Sequence, residues 1–182
     1  MAGCESGREI ERRKAEFWLK LARRDSSHRN VDVDVIWLRH WVEMAGIRLE
    51  TIGTSEEELE TLLRKGYKAE AKNLLKLARI RCSVEGVDSD VKLVQEYVEK
   101  AGIDLKTIGT SKEELKQLLR KGYRAEAKKW LKVARECRSK QKVDSAVKWV
   151  REYVEKAGIT LEEIGTSDEE LKKLLEESEE SF

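Results

Sequence analysis

Residues 101–123 read AGIDLKTIGTSKEELKQLLRKGY, and nearly the same string occurs at 45–67 and at 157–179. The spacing is 56 residues each time, and 36 positions are identical when residues 66–121 are aligned with residues 122–177. Self-similarity at a fixed period is typical of repeat proteins. We therefore predict a single helical-repeat domain over residues 1–182. Its parts are copy one at 10–65, copy two at 66–121, copy three at 122–177 and a short tail at 178–182.

The first two helices of a copy can be read from copy two. The first helix is predicted to begin after Gly66 and to run to about Arg81, because its apolar residues recur at helical spacing. The second helix is predicted to open at Asp88 as its N-cap. It should stop at Gly102, since glycine favours the left-handed conformation that ends many helices.

A turn and a shorter third helix complete the copy. Leu105 and Ile108 are expected to enter the core from the turn, and Ser111 with Glu114 predicts a capping box for a helix that ends at Gly122. No copy can bury its apolar stripes alone, so the copies should stack. The predicted fold class is all-α, an α-solenoid of three tandem 56-residue repeats with three helices each.

The amino-acid composition restricts the kinds of partner that the protein is expected to bind. Charged residues make up 40% of the chain and the net charge is only +1, with acids and bases interspersed, so we predict no nucleic-acid partner. No apolar run approaches the roughly 18 residues of a membrane span, and the start MAGCESGREI has no hydrophobic segment. We expect a soluble protein that stays in the cytoplasm when it is expressed recombinantly, and we expect no natural cellular location for it.

Residues that could carry chemistry are few and scattered. Cys4, Cys82 and Cys137 fall at non-equivalent positions of the repeat, and His28 and His40 have no second metal ligand at helical spacing. Paired acids at helix starts are explained by the helix dipole. We therefore predict no enzyme, no metal, no cofactor and no small-molecule ligand.

The repeated I-G-T-S loops, the capping boxes, the glycine-terminated helices, the mixed surface charge and the absence of proline resemble the de novo designed helical repeat proteins. The resemblance covers nearly the whole chain. It implies an idealised helical scaffold without inherent activity, to which a surface for self-assembly or partner binding has been added. Natural armadillo and HEAT arrays rank second as an interpretation, because their repeats are usually shorter than 56 residues and less alike than copies two and three are.

Copy one departs from this regularity on the outer face of its second helix. Positions that are polar in copies two and three become apolar or aromatic in copy one, where they are Val33, Ile36, His40 and Met44. On the first helix, Phe17 replaces Asn73 and Lys129. We predict that these residues form an interface, with Arg13 and Arg24 on its rim.

Two alternatives stay open at this point. Trp37 and Trp41 flank the stripe at positions that are apolar in every copy, so they could belong to the core or to the interface. Copy one could also be an N-terminal cap, as Arg13 in place of Ala69 suggests, although a cap calls for polar rather than apolar replacements.

The predicted function is that of a structural and interaction scaffold that assembles into a symmetric homo-oligomer through copy one. A binder of a different protein, acting through the same patch, is the alternative. The sequence leaves the stoichiometry, any foreign partner and the handedness of the solenoid open.

Overall fold

The computed structural model describes residues 7–24, 30–81 and 84–179. Within these residues the chain is all α, with no strand, so the predicted all-α class is confirmed. The α-helices are α1 (Gly7–Arg24), α2 (Val31–Ala45), α3 (Glu56–Ile80), α4 (Val84–Lys100), α5 (Lys112–Glu136), α6 (Lys140–Ala157) and α7 (Asp168–Glu179). Short 3₁₀ turns lie at Leu49–Ile52, Leu105–Ile108 and Glu162–Ile164.

The third helix predicted for copies one and two is not a separate element. Gly66 and Gly122 lie inside α3 and α5, which are each 25 residues long and run from one copy into the next. Both glycines are buried, and each lies at helical spacing from the leucines before it, so it faces the same side of the helix. No residue that favours the N-cap position follows either glycine to start a new helix. A glycine in a helix costs only about 1 kcal/mol, which the packing of a long amphipathic helix offsets.

The predicted start of the second helix is also wrong. The α4 helix begins at Val84, one turn before Asp88, and Asp88 forms an ion pair of 2.8 Å with Lys92. The earlier start lets Val87, which is 1% exposed, extend the buried stripe by a turn. Burial of an apolar side chain thus outweighed the capping preference of an aspartate.

The predicted glycine stop is confirmed. Gly102 has φ +62°, and the N–H of Ile103 donates to the carbonyl oxygen of Val98, which closes the helix end. Gly46 and Gly158 have the same left-handed conformation at the ends of α2 and α6.

The chain divides into two compact units, Met1–Leu74 with Leu93–Gly109 and Leu75–Lys92 with Thr110–Phe182. The first has a core that includes Leu19, Ala22, Val31, Val35, Leu38, Leu59 and Leu62. The second has a core that includes Ala127, Leu131, Val143, Val147, Val150, Ile164 and Leu171. In the first unit α1 and α2 turn their apolar sides toward the shared core, so their opposite sides face solvent.

Candidate protein-interaction surface

Besides Ile10 near the start of α1, the solvent-facing sides of α1 and α2 carry five large apolar side chains at the surface. Their exposed fractions are Phe17 55%, Val33 46%, Ile36 64%, Trp37 43% and Met44 54%. His40 is exposed among them, and Trp41 is half-buried beside them. We call these seven residues the copy-one patch. Trp37 therefore lies at the surface, while Trp41 is shared between the surface and the interior.

The apolar members of the patch expose roughly 500 Å², judged from side-chain areas of about 150–250 Å² for aromatic residues and somewhat less for aliphatic ones. A contiguous patch of this size is at the upper end of what monomeric proteins expose. A standard interface buries about 800 Å² per partner. The copy-one patch with its charged rim is large enough to supply such a contact.

The same helix positions in copies two and three are at the surface and polar. In copy two they are Ser89, Lys92, Glu96 and Lys100, all of which are exposed. Lys100 binds Glu96 at 2.5 Å, and this hydrogen bond raises the pKa of the lysine. His40 and Met44 thus stand where copy two carries a solvated ion pair, and copy three repeats that pair as Glu152 with Lys156 at 2.6 Å.

Aromatic rings of the patch, together with Trp18, connect α1 to α2. Phe17 meets Trp18 edge to face at 5.7 Å, and Trp18 stacks on Trp37 with centroids 6.0 Å apart and an interplanar angle of 19°. His40 forms T-shaped ring contacts with Trp37 and with Trp41, with centroids 5.6 Å and 5.0 Å apart. Such contacts hold large side chains in place without burying them fully.

Trp18 and Lys14 were not predicted as part of this surface. Trp18 is half-buried between the core and the patch, and the Nζ of Lys14 lies 3.9 Å from the centre of the Trp41 ring. One signal in the sequence could have identified Trp18. It aligns with Trp130 of copy three, which makes the same stack with Trp149 at 6.2 Å.

The flank of the patch on α1 is basic. Arg13, Lys14, Lys20 and Arg24 surround Phe17 on the outer side of this helix and are all exposed. Arg13 also approaches Glu9 of its own helix at 3.9 Å. A shallow depression of about 330 Å³ is lined by Ile10, Arg13, Lys14 and Phe17.

The opposite flank, on α2, has mixed charge. Asp32 accepts a hydrogen bond from the backbone N–H of Val33 at 2.9 Å, and Arg39 binds Glu56 at 2.6 Å. Glu43 is exposed near the end of the helix. An apolar stripe between charged edges is the usual composition of an interface centre and its rim.

Histidine and thiol side chains are sparse in the part of the chain that the structure describes. Among the described residues, no group of three or more His, Cys, Asp or Glu side chains is placed to hold a metal ion. Cys137 is a half-buried free thiol, whereas Cys4, Cys82 and His28 lie outside the described residues. No helix in the described ranges is long and apolar enough to cross a membrane.

No protein-family model, curated protein or solved structure matches this chain.

Proposed function

We propose that this protein is a non-catalytic helical-repeat scaffold that assembles with copies of itself through the copy-one patch. The observation that carries the proposal is the replacement of exposed polar residues by apolar ones at matched positions. Ile36 and Met44 stand where copy two has the exposed lysines Lys92 and Lys100. Because apolar exposure of this extent lowers solubility without stabilising the monomer, a covering surface is its physical explanation.

The proposal includes the architecture as an α-solenoid of three tandem copies, of the designed helical-repeat type. Local geometry that recurs every 56 residues supports it. The left-handed glycines Gly46, Gly102 and Gly158 keep that spacing, and the ion pairs of Arg23 with Glu58, Arg79 with Glu114 and Arg135 with Glu170 keep it too.

A second candidate function is the binding of a different, acidic protein. The basic flank of α1 favours it, because Arg13, Lys20 and Arg24 offer positive charge next to Phe17. Self-assembly is preferred because the centre of the patch is apolar and the α2 flank carries both signs, so the surface as a whole has no single complementary charge.

The test is the solution mass, measured by size-exclusion chromatography with light scattering at micromolar concentration. The wild-type chain should elute as a discrete multiple of 21.1 kDa, and Ile36→Lys/Met44→Lys should elute as the monomer. Ser89→Lys/Gln95→Lys is the matched control, because it adds two lysines at exposed positions of α4 and should leave the mass of the assembly unchanged.

A wild-type monomer would refute self-assembly and direct the search to an acidic partner. An assembly that survives Ile36→Lys/Met44→Lys would place the interface elsewhere. Both substituted side chains are more than half exposed, so the circular dichroism and melting temperature of the variant should match those of the wild type.

A further inference from the structure

We infer that the surface covering the copy-one patch is the same α2 helix of a second copy, running antiparallel across a two-fold axis. In this pairing Val33 lies opposite Met44 of the second copy, and Ile36 lies opposite its His40. The inference rests on the proposed self-assembly and adds to it a stoichiometry of two, an orientation and a register.

The spacing of the stripe suits pairing between helices. Val33, Ile36, His40 and Met44 are separated by three, four and four residues, so at about 100° per residue they stay on one side of α2 over three turns. Buried Val35 and Leu38 occupy the other side of the helix. Steps of three and four residues are the spacing at which two helices interlock side chains.

The helix dipoles favour the antiparallel direction. Parallel two-fold pairing would place each seam residue opposite its own copy, so that the imidazoles of His40 meet each other, and it would align the two macrodipoles. Antiparallel pairing separates the imidazoles and opposes the macrodipoles.

Side-chain size favours the same direction. Val33 is the smallest apolar member of the stripe and Met44 is long and flexible, so antiparallel pairing matches a small residue with a large one at both ends. Parallel pairing would put two methionines together at one end and two valines at the other. The gap between the helices would then be uneven along its length.

The first helix adds Phe17 near the axis. The stacking of Trp18 on Trp37 and the position of Lys14 over Trp41 fix the register of α1 against α2. Phe17 is thereby level with residues 38–39, which are the midpoint between Val33 and Met44. Both copies of Phe17 then flank the two-fold axis, and the roughly 500 Å² of apolar patch on each copy is covered together with its rim.

The experiment uses two single variants of the full chain, Val33→Glu and Met44→Lys. Each alone should be monomeric, with a dissociation constant raised at least about tenfold, because it buries an unpaired charge twice in the dimer. An equal mixture of the two should form a dimer again, since Glu at position 33 of one copy then faces Lys at position 44 of the other. The double variant Val33→Glu/Met44→Lys should dimerise by itself.

The results separate this inference from the proposed function. A wild-type monomer would overturn both. A wild-type oligomer whose single variants dissociate, but whose mixture and double variant stay monomeric, would retain self-assembly and overturn the antiparallel register. A wild-type trimer or tetramer would overturn the two-fold pairing. Circular dichroism of each variant checks that the exposed substitutions have left the helices intact.

Discussion

Arg79 and Glu114 are joined by a salt bridge of 2.7 Å although they are 35 residues apart in the chain. Glu114 also accepts a hydrogen bond of 2.9 Å from the hydroxyl of Thr110, while its backbone N–H donates to the Oγ of Ser111. The carboxylate thus fastens the start of α5 to the end of α3. The equivalent glutamates, Glu58 and Glu170, make the same bonds in copies one and three.

Because these carboxylates form ion pairs in the folded state, the stability of the fold should be sensitive to acid. The arginine bond, followed by the threonine hydroxyl, holds the pKa of Glu114 below its ordinary value of 4.5. A group whose pKa is lowered by folding stabilises the protein above its unfolded pKa, and that contribution is lost as the pH falls through the folded pKa. The free energy of unfolding should therefore decrease as the pH drops below about 4.5.

Urea unfolding of the triple variant Glu58→Gln/Glu114→Gln/Glu170→Gln tests this assignment. The wild type should exceed the variant by about 1–2 kcal/mol at pH 7, because each bridge is partly exposed and screened by solvent, and the difference should vanish by about pH 2. The control Glu57→Gln/Glu99→Gln/Glu155→Gln changes exposed carboxylates outside the bridges. Equal losses in both triple variants would contradict the assignment.

A second prediction concerns a buried charge in copy two. Asp90 is 3% exposed, and one of its oxygens binds Arg81 at 3.2 Å. Copy three carries Cys137 and Ala146 at the equivalent positions, so both members of the pair have changed together. Arg81→Ala should cost about 1–3 kcal/mol, because it leaves a buried carboxylate without its cation.

The double variant Arg81→Ala/Asp90→Ala should recover most of that loss, since an apolar pair of this kind is already accommodated in copy three. Equilibrium unfolding followed by circular dichroism gives both values. If the double variant is less stable than Arg81→Ala, Asp90 stabilises the fold even without Arg81, and the prediction is wrong.

The third prediction concerns the salt dependence of association. The centre of the copy-one patch is apolar, and Arg39 on its rim is already paired with Glu56. The dissociation constant of the self-assembled form should therefore change less than about threefold between roughly 0.05 and 0.5 M NaCl, whereas ammonium sulfate should tighten association. Sedimentation velocity at several salt concentrations measures this. Weakening by NaCl of tenfold or more would favour contacts through the basic flank of α1.

Much of the fold could be predicted from local patterns. The helical class follows from apolar periodicity, and the end of α4 follows from Gly102, because both signals depend on residues close together in the chain. Only half of the capping box predicted at Ser111 is present in the structure. The serine accepts the backbone N–H of Glu114 as expected, but both carboxylate oxygens of Glu114 bind Thr110 and Arg79 instead of returning to the serine.

The candidate surface was also predicted only in part. Comparison of the copies identified Phe17 and Ile36 as exposed, because the equivalent polar residues mark the outer face of each helix. The role of Trp18 was missed, since a half-buried ring gives the same signal in the sequence as a core residue. Its stack on Trp37 depends on how α1 and α2 are aligned along their lengths, and no local sequence pattern gives that alignment.

The sequence by itself determined the 56-residue period, the apolar sides of the helices and the left-handed glycines at their ends, because each depends on spacing or on the conformational range of one residue. Only the tertiary structure decided that α3 and α5 continue through Gly66 and Gly122, that Glu114 turns to Arg79, and that Trp18 supports the copy-one patch. These outcomes depend on burial and on contacts between distant residues, which can outweigh local preferences of about 1 kcal/mol.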